Sequence, residues 1–381
     1  MFDKAARVAG AATMGRVQRS RLAALALVLA GCGVWGPARI PPSDPRISYT
    51  GRFDRRAPDA VRFAWVGAQI EARFSGEFLR AYLTDTPVED ELRETDYITV
   101  VVDAGAPRTF ALQEGSRIYP LATALDPGPH HVLIWKRTEA EVGVITFRGF
   151  ELESRHALLP RPKPPTHRLE FVGDSITAGY GNEGADAACH WSAKTENNYL
   201  TFGAFAAREL GASYTAVAYS GKRVTHSYEA PDELTLPEIY DRVIPTEDDS
   251  PKVSASPADV VVVNLGTNDA FPRLPDERTF TGAYQSFLAQ LRTQNPTALL
   301  VIVLGPMLVD DYPQPLARST LRKWLKTVQT SREASGDTRV DFIEFWYDPA
   351  EGVGCDFHPN VKTHARLGHE LANLIRTRLE W

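Results

Sequence analysis

Between residues 40 and 159, apolar side chains recur at every second place in short runs: 61–65, 69–74, 79–84, 97–103, 108–112, 131–137 and 143–152. Turn-forming residues separate the runs, and none holds a 3.6-residue period, so the spacing predicts an antiparallel β-sandwich of the jelly-roll kind over 40–159. Residues 160–166 read Pro-Arg-Pro-Lys-Pro-Pro-Thr. Such a run cannot supply ladder N–H groups and predicts an extended linker. From 167 to 381 apolar runs at 169–172, 214–218, 260–265, 299–304 and 340–345 alternate with helical patterns at 199–210, 280–291, 316–331 and 361–379. Buried parallel strands with crossover helices follow, in a three-layer α/β domain. Ligands of such sheets lie beyond the carboxyl ends of the strands, and residues just after each strand are the ones to search for chemistry.

With 381 residues, 43% of them hydrophobic and 24% charged, the chain has the make-up of an ordinary globular protein long enough for two cores. Its formal net charge of −6, with no basic block interleaved with aromatics, offers nothing to a phosphate backbone and argues against a nucleic-acid partner. The one long apolar stretch lies at the start. Arg16, Arg19 and Arg21 precede an apolar run that ends Leu29-Ala30-Gly31-Cys32. This is too short to span a bilayer and has the layout of an export signal over residues 1–32. Its last four residues resemble a bacterial lipobox, which implies an exported envelope lipoprotein held to a membrane through acylated Cys32, on the periplasmic or cell-surface face. After Cys32 only Cys189 and Cys355 remain. An oxidising compartment permits them to pair, and both the bridge and two free thiols are open at this level.

Gly173-Asp174-Ser175 stands directly after the first parallel strand, where a serine hydroxyl can project from a strand-to-helix corner near the positive end of a helix. Ser220-Gly221 follows the second strand and Gly266-Thr267-Asn268-Asp269 the third. The backbone N–H of Gly221 and the side-chain amide of Asn268 suit an oxyanion hole, as does the N–H of Ser175. After the fifth strand comes Asp356-Phe357-His358-Pro359, in which His358 can take the proton of Ser175 and Asp356 can hold the imidazole. Asp174 reads as a structural residue of the turn. Tyr180, Trp191, Phe271 and Phe357 lie near strand ends and offer faces for a sugar ring, or core packing. His130-His131 and His364 to His369 lack the spacing of zinc ligands, and neither a metal nor a cofactor is expected.

Taken in order, these four blocks resemble those of the SGNH hydrolases, over residues 168–381. The resemblance implies a flavodoxin-like hydrolase fold with Ser175 as nucleophile, Ser175, Gly221 and Asn268 as oxyanion hole, and Asp356 and His358 completing a triad. A jelly roll ahead of that domain, Trp191-Ser192-Ala193-Lys194-Thr195-Glu196-Asn197-Asn198-Tyr199, and Cys355-Asp356-Phe357-His358-Pro359-Asn360 resemble carbohydrate esterase family 2. That narrower resemblance implies a serine esterase that removes O-acetyl groups from xylan, glucomannan or 6-O-acetyl hexosyl units. Some members of the family work as a Ser-His dyad. Two other readings fit the same residues: an SGNH lipase, thioesterase or peptidoglycan O-acetyl esterase, and a non-catalytic polysaccharide-binding lipoprotein.

Overall fold

The computed structural model describes residues 36–88, 94–231, 233–253 and 256–381; the expected signal and Cys32 lie outside them. Its first twelve strands are β1 (Ala38–Ile40), β2 (Ser48–Thr50), β3 (Asp54–Ala57), β4 (Ala60–Phe63), β5 (Gln69–Ser75), β6 (Leu79–Pro87), β7 (Tyr97–Val102), β8 (Arg108–Ala111), β9 (Gly115–Ala122), β10 (Pro129–Lys136), β11 (Gly143–Leu152) and β12 (Leu158–Leu159). They form two antiparallel sheets, ordered β3-β4-β11-β6-β9 with β1 on β11, and β12-β5-β10-β7-β8 with β2 on β5. Alternate side chains of both sheets, among them Ile70, Phe74, Leu83, Val100, Ile134 and Phe147, close a common core.

All seven alternating runs are strands. The longest strand missed by the alternation is β9, Gly-Ser-Arg-Ile-Tyr-Pro-Leu-Ala, whose first half is mostly exposed. It lies at a sheet edge, where Pro120 needs no ladder partner for its missing N–H. The pairing register shifts beside it, between Leu79 and Arg80 of β6.

Residues 160–167 hold no helix or strand. Beyond them, β13 (Arg168–Gly173), β14 (Ser213–Ala218), β15 (Val260–Asn264), β16 (Leu299–Leu304) and β17 (Val340–Glu344) make a parallel sheet ordered β14-β13-β15-β16-β17. The helices of this half are α1 (Ser175–Ala178), α2 (Phe202–Glu209), α3 (Leu236–Ile239), α4 (Glu277–Gln294), α5 (Ala317–Ala334) and α6 (Val361–Leu379). One face of the sheet packs on α2 and α6, the other on α3, α4 and α5. Phe280, Tyr284, Phe287, Leu288 and Leu291 form the buried stripe of α4, and Asp276 caps it by accepting from the Thr279 N–H, so the helix starts ahead of its apolar period. The expected helix 199–210 is broken at Thr201, whose hydroxyl oxygen accepts from the Ala204 N–H and starts α2 afresh. Leu316, expected in α5, sits ahead of it with φ of 61° and is exposed.

The two halves are joined by buried side chains. Trp65 and Trp135, carried by the sandwich, pack into the cores on opposite faces of the parallel sheet. The Trp65 indole N–H donates to Arg242 O at 2.9 Å, Gln69 donates to Tyr214 O at 2.9 Å, and Arg52 pairs with Glu170 at 3.2 Å.

Candidate active site

In the strand order of the parallel sheet, β13 lies between β14 and β15, so the chain leaves it to opposite sides and opens a crevice at its carboxyl end. Ser175 begins α1 there. Asp174 caps this single turn, its carboxylate accepting from the Ile176 N–H at 3.1 Å, which bears out its structural role. Burial pushes the Asp174 carboxyl up to about 7.

His358 comes from the loop between β17 and α6, and its Nε2 stands 2.9 Å from Ser175 Oγ. The Nδ1 atom is 3.3 Å from the main-chain oxygen of Asp356. A carbonyl oxygen only accepts, so Nδ1 carries the hydrogen and Nε2 is left to accept from the serine hydroxyl. Burial pushes the imidazole down to about 4, against the backbone hydrogen bonds at Asp356 and Cys355 that favour its charged form. The ring is covered by Tyr180 at 4.1 Å between centroids, and Trp191 stacks on Tyr180 in turn at 5.8 Å.

Asp356 departs from the expected triad. Its carboxylate accepts from His190 Nδ1 at 2.9 Å, from the Trp191 N–H at 2.9 Å and from the Tyr180 hydroxyl at 3.0 Å, and makes no hydrogen bond to His358. Partial burial works against its ionisation, but these three donors hold the carboxyl below its ordinary range. The cause is the backbone: Asp356 and Phe357 have φ of 50° and 64°, so the chain turns left-handed and offers His358 a carbonyl rather than a carboxylate. Two such non-glycine residues in a row cost about 1–2 kcal/mol each. They are held by surrounding bonds: Cys355 N–H to Gly181 O at 3.0 Å, Asp356 N–H to Cys189 O at 3.0 Å and Gly354 N–H to His358 O at 2.8 Å. Cys189 and Cys355 are bridged, with Cα atoms 4.7 Å apart, which resolves the question the sequence left open.

The loop after β14 carries Gly221 in the left-handed region, φ of 75°. Asn268, after β15, donates one amide hydrogen to Lys222 O at 3.1 Å and keeps a second. Asp269, present in the sequence block without an assigned role, is fully buried and accepts from Val224 N–H, Thr225 N–H and the Thr225 hydroxyl, tying the two loops together.

Phe271 and Phe357 line an apolar cavity of about 740 Å³ together with Met307, Tyr312, Tyr347 and Pro359. Sequence reasoning missed Met307 and Tyr312, although both follow the carboxyl end of β16, where the strand-end rule directs attention. Trp191 is half-buried, its indole N–H on Glu196 at 3.3 Å, and together with Tyr180 it lies over the histidine rather than in this cavity. Among the described residues no cluster of His, Cys, Asp or Glu is arranged to hold a metal, and no helix is long and apolar enough to cross a membrane.

Comparison with known proteins matches residues 49–162 to the carbohydrate esterase 2 N-terminal family and residues 171–366 to the GDSL-like lipase/acylhydrolase family. The cellulase/esterase CelE of Acetivibrio thermocellus is 33% identical over 89% of this chain, which spans 40% of the length of that relative. An acetylxylan esterase / glucomannan deacetylase of Cellvibrio japonicus is 24% identical, with 89% of this chain and 90% of the relative covered. Among solved structures, a family two carbohydrate esterase from Clostridium thermocellum in complex with cellohexaose superposes with a TM-score of 0.81 at 32% identity, covering 88% of this chain and 99% of that one. With a Ser-His pair at the crevice of an α/β sheet, a β-sandwich ahead of it and these matches over both halves, the chain belongs to carbohydrate esterase family 2.

Proposed function

We propose that this protein removes O-acetyl groups from acetylated xylan, glucomannan or other hexosyl polymers through an acetyl-Ser175 intermediate. The observation that carries this is the 2.9 Å approach of His358 Nε2 to Ser175 Oγ, with Nδ1 fixed as the protonated nitrogen. Ser175 Oγ attacks the acetyl carbon while its proton passes to His358. The resulting oxyanion receives hydrogen bonds from the Ser175 and Gly221 N–H groups and the free amide hydrogen of Asn268. The imidazolium then protonates the departing sugar oxygen, which leaves as a hydroxyl. In the second half His358 takes a proton from the water that attacks the acetyl-serine and returns it to Ser175 Oγ as acetic acid leaves. The Asp356 main-chain oxygen orients the base, so the working unit is a dyad with a carbonyl support.

Phe271, Phe357 and their aromatic neighbours are assigned to sugar rings of the polymer, and Tyr180 and Trp191 to the wall behind the base. The 40–159 sandwich, the 160–166 linker and the 167–381 hydrolase domain are the proposed units. Export and a lipid anchor at Cys32 are proposed from the signal-like start, and the Cys189–Cys355 bridge accords with an oxidising compartment.

The test is acetate release by the chain beginning after Cys32 from acetylated xylan, acetylated glucomannan and aryl esters of rising chain length, beside Ser175→Ala. Ser175-dependent release confined to short acyl groups is expected. Preference for long acyl chains would move the protein to the lipase reading and give the apolar cavity to an acyl tail.

A further inference from the structure

Glu139 stands in the sandwich, three residues after β10, yet its side chain ends in the catalytic half. One carboxylate oxygen accepts from the Ser220 N–H at 2.6 Å and the other from the Ser220 hydroxyl. The residue is wholly buried. Its own loop is fixed from below by Lys136, equally buried, whose ammonium donates to Glu139 O at 3.1 Å, to Thr138 O at 2.8 Å and to the Asp96 carboxylate.

Ser220 is joined by its peptide to Gly221, whose N–H is an oxyanion donor in the function proposed above. Glycine accepts either sign of φ, so Gly221 does not itself fix the direction of its N–H; the turn around it is closed by Lys222 N–H to Tyr219 O at 3.3 Å and entered through Tyr219 N–H to Gly173 O at 3.1 Å. Downstream, the loop is held by Asp269 at Val224 and Thr225 and by Asn268 at Lys222. Upstream, the two bonds to Glu139 fix the backbone nitrogen and the side-chain rotamer of Ser220 together. We propose that Glu139 is a positioning residue by which the sandwich sets the direction of the Gly221 N–H in the oxyanion hole; this rests on the esterase reading.

Such a residue acts on the transition state and not on ground-state binding, since the oxyanion forms only after attack. Glu139→Leu keeps most of the volume and removes both acceptors of Ser220, whereas in Glu139→Gln the Ser220 hydroxyl can turn to accept from the amide NH2 and both contacts survive. Loss of a whole oxyanion donor lowers kcat by about 10²–10³-fold, and misdirection of one is expected to lower it by about 10-fold or more. The experiment measures kcat and KM on 4-nitrophenyl acetate, the inhibition constant of methylboronic acid and the urea midpoint. The boronic acid adds Ser175 Oγ to boron and places an oxygen where the oxyanion forms. Expected for Glu139→Leu are a fall in kcat, KM within about threefold, a boronate constant raised by a similar factor and a urea transition that remains cooperative, with Glu139→Gln close to wild type in all of them. Ser220→Ala, which keeps the backbone bond and loses the hydroxyl, is expected partway between, and answers the question if the Leu variant fails to fold. An unchanged or raised kcat in Glu139→Leu, or a loss carried by KM with boronate affinity intact, would overturn the proposal. Wild type lacking Ser175-dependent turnover would instead remove the esterase reading on which it stands.

Discussion

Replacing Asp356 by Asn separates the carbonyl-supported dyad from a triad. The carboxylate faces Tyr180, His190 and the Trp191 N–H, and the bond that orients His358 comes from the main chain, which the substitution leaves in place. Asn can keep its accepting oxygen toward Trp191 and Tyr180 and turn its NH2 to a neutral His190. What disappears is the charge, paired with a histidine side chain that is 90% exposed. Exposed pairs contribute about 0–1 kcal/mol, so the loss in kcat is expected to stay below about 10-fold, or ~1.4 kcal/mol of barrier. A carboxylate that held the imidazole directly would, on conversion to amide, lower kcat by about 10⁴-fold. The two accounts differ by about three orders of magnitude, well outside the error of a steady-state assay on 4-nitrophenyl acetate. A drop of about 10³-fold or more, with the fold intact by circular dichroism, would refute the carbonyl-supported dyad and return Asp356 to a triad.

The pH profile offers a second check. His358 acts as base only when neutral, and burial lowers it to about 4, so activity is lost as pH falls through that value and not through the ordinary histidine value near 6.5. At pH 5 kcat/KM should remain at about 90% of its plateau; an acid limb centred near pH 6.5 would contradict the burial argument. Gly184→Ala should disturb the bridge, because a Cβ there would lie 2.3 Å from Cys355 Sγ and 2.4 Å from Cys189 Sγ. A loss of about 1–3 kcal/mol in urea unfolding is expected, and a wild-type midpoint would show that the loop absorbs the methyl group.

Much of this architecture is written locally. Two of the parallel strands, β15 and β16, are Val, Ile and Leu runs buried on both faces, and the alternation of such strands with helical stripes leaves few other folds. Ser175 and His358 follow from strand ends, which a single sequence reveals. Asp-x-His spacing says nothing of the two consecutive left-handed residues that turn the Asp356 carboxylate toward Tyr180, His190 and Trp191. Glu139 carries no local signal: in the sequence it is one polar residue after a strand, and its partner Ser220 lies 81 residues on. The bridge between Cys189 and Cys355 has the same character, since it depends on where two loops meet.

The joint between the halves has a consequence for how such proteins are rearranged over time. The Trp135 indole bonds Asn198, whose amide in turn donates to Thr177 O and Ala178 O of the turn that bears Ser175. Arg137, beside it, donates to Glu196 O and pairs with Glu183. A recombination breakpoint at the proline-rich stretch would therefore leave a hydrolase whose reactive corner has lost its scaffold. The sandwich and the hydrolase are best treated as one unit of inheritance, to be fused to other modules at its outer ends and not divided within.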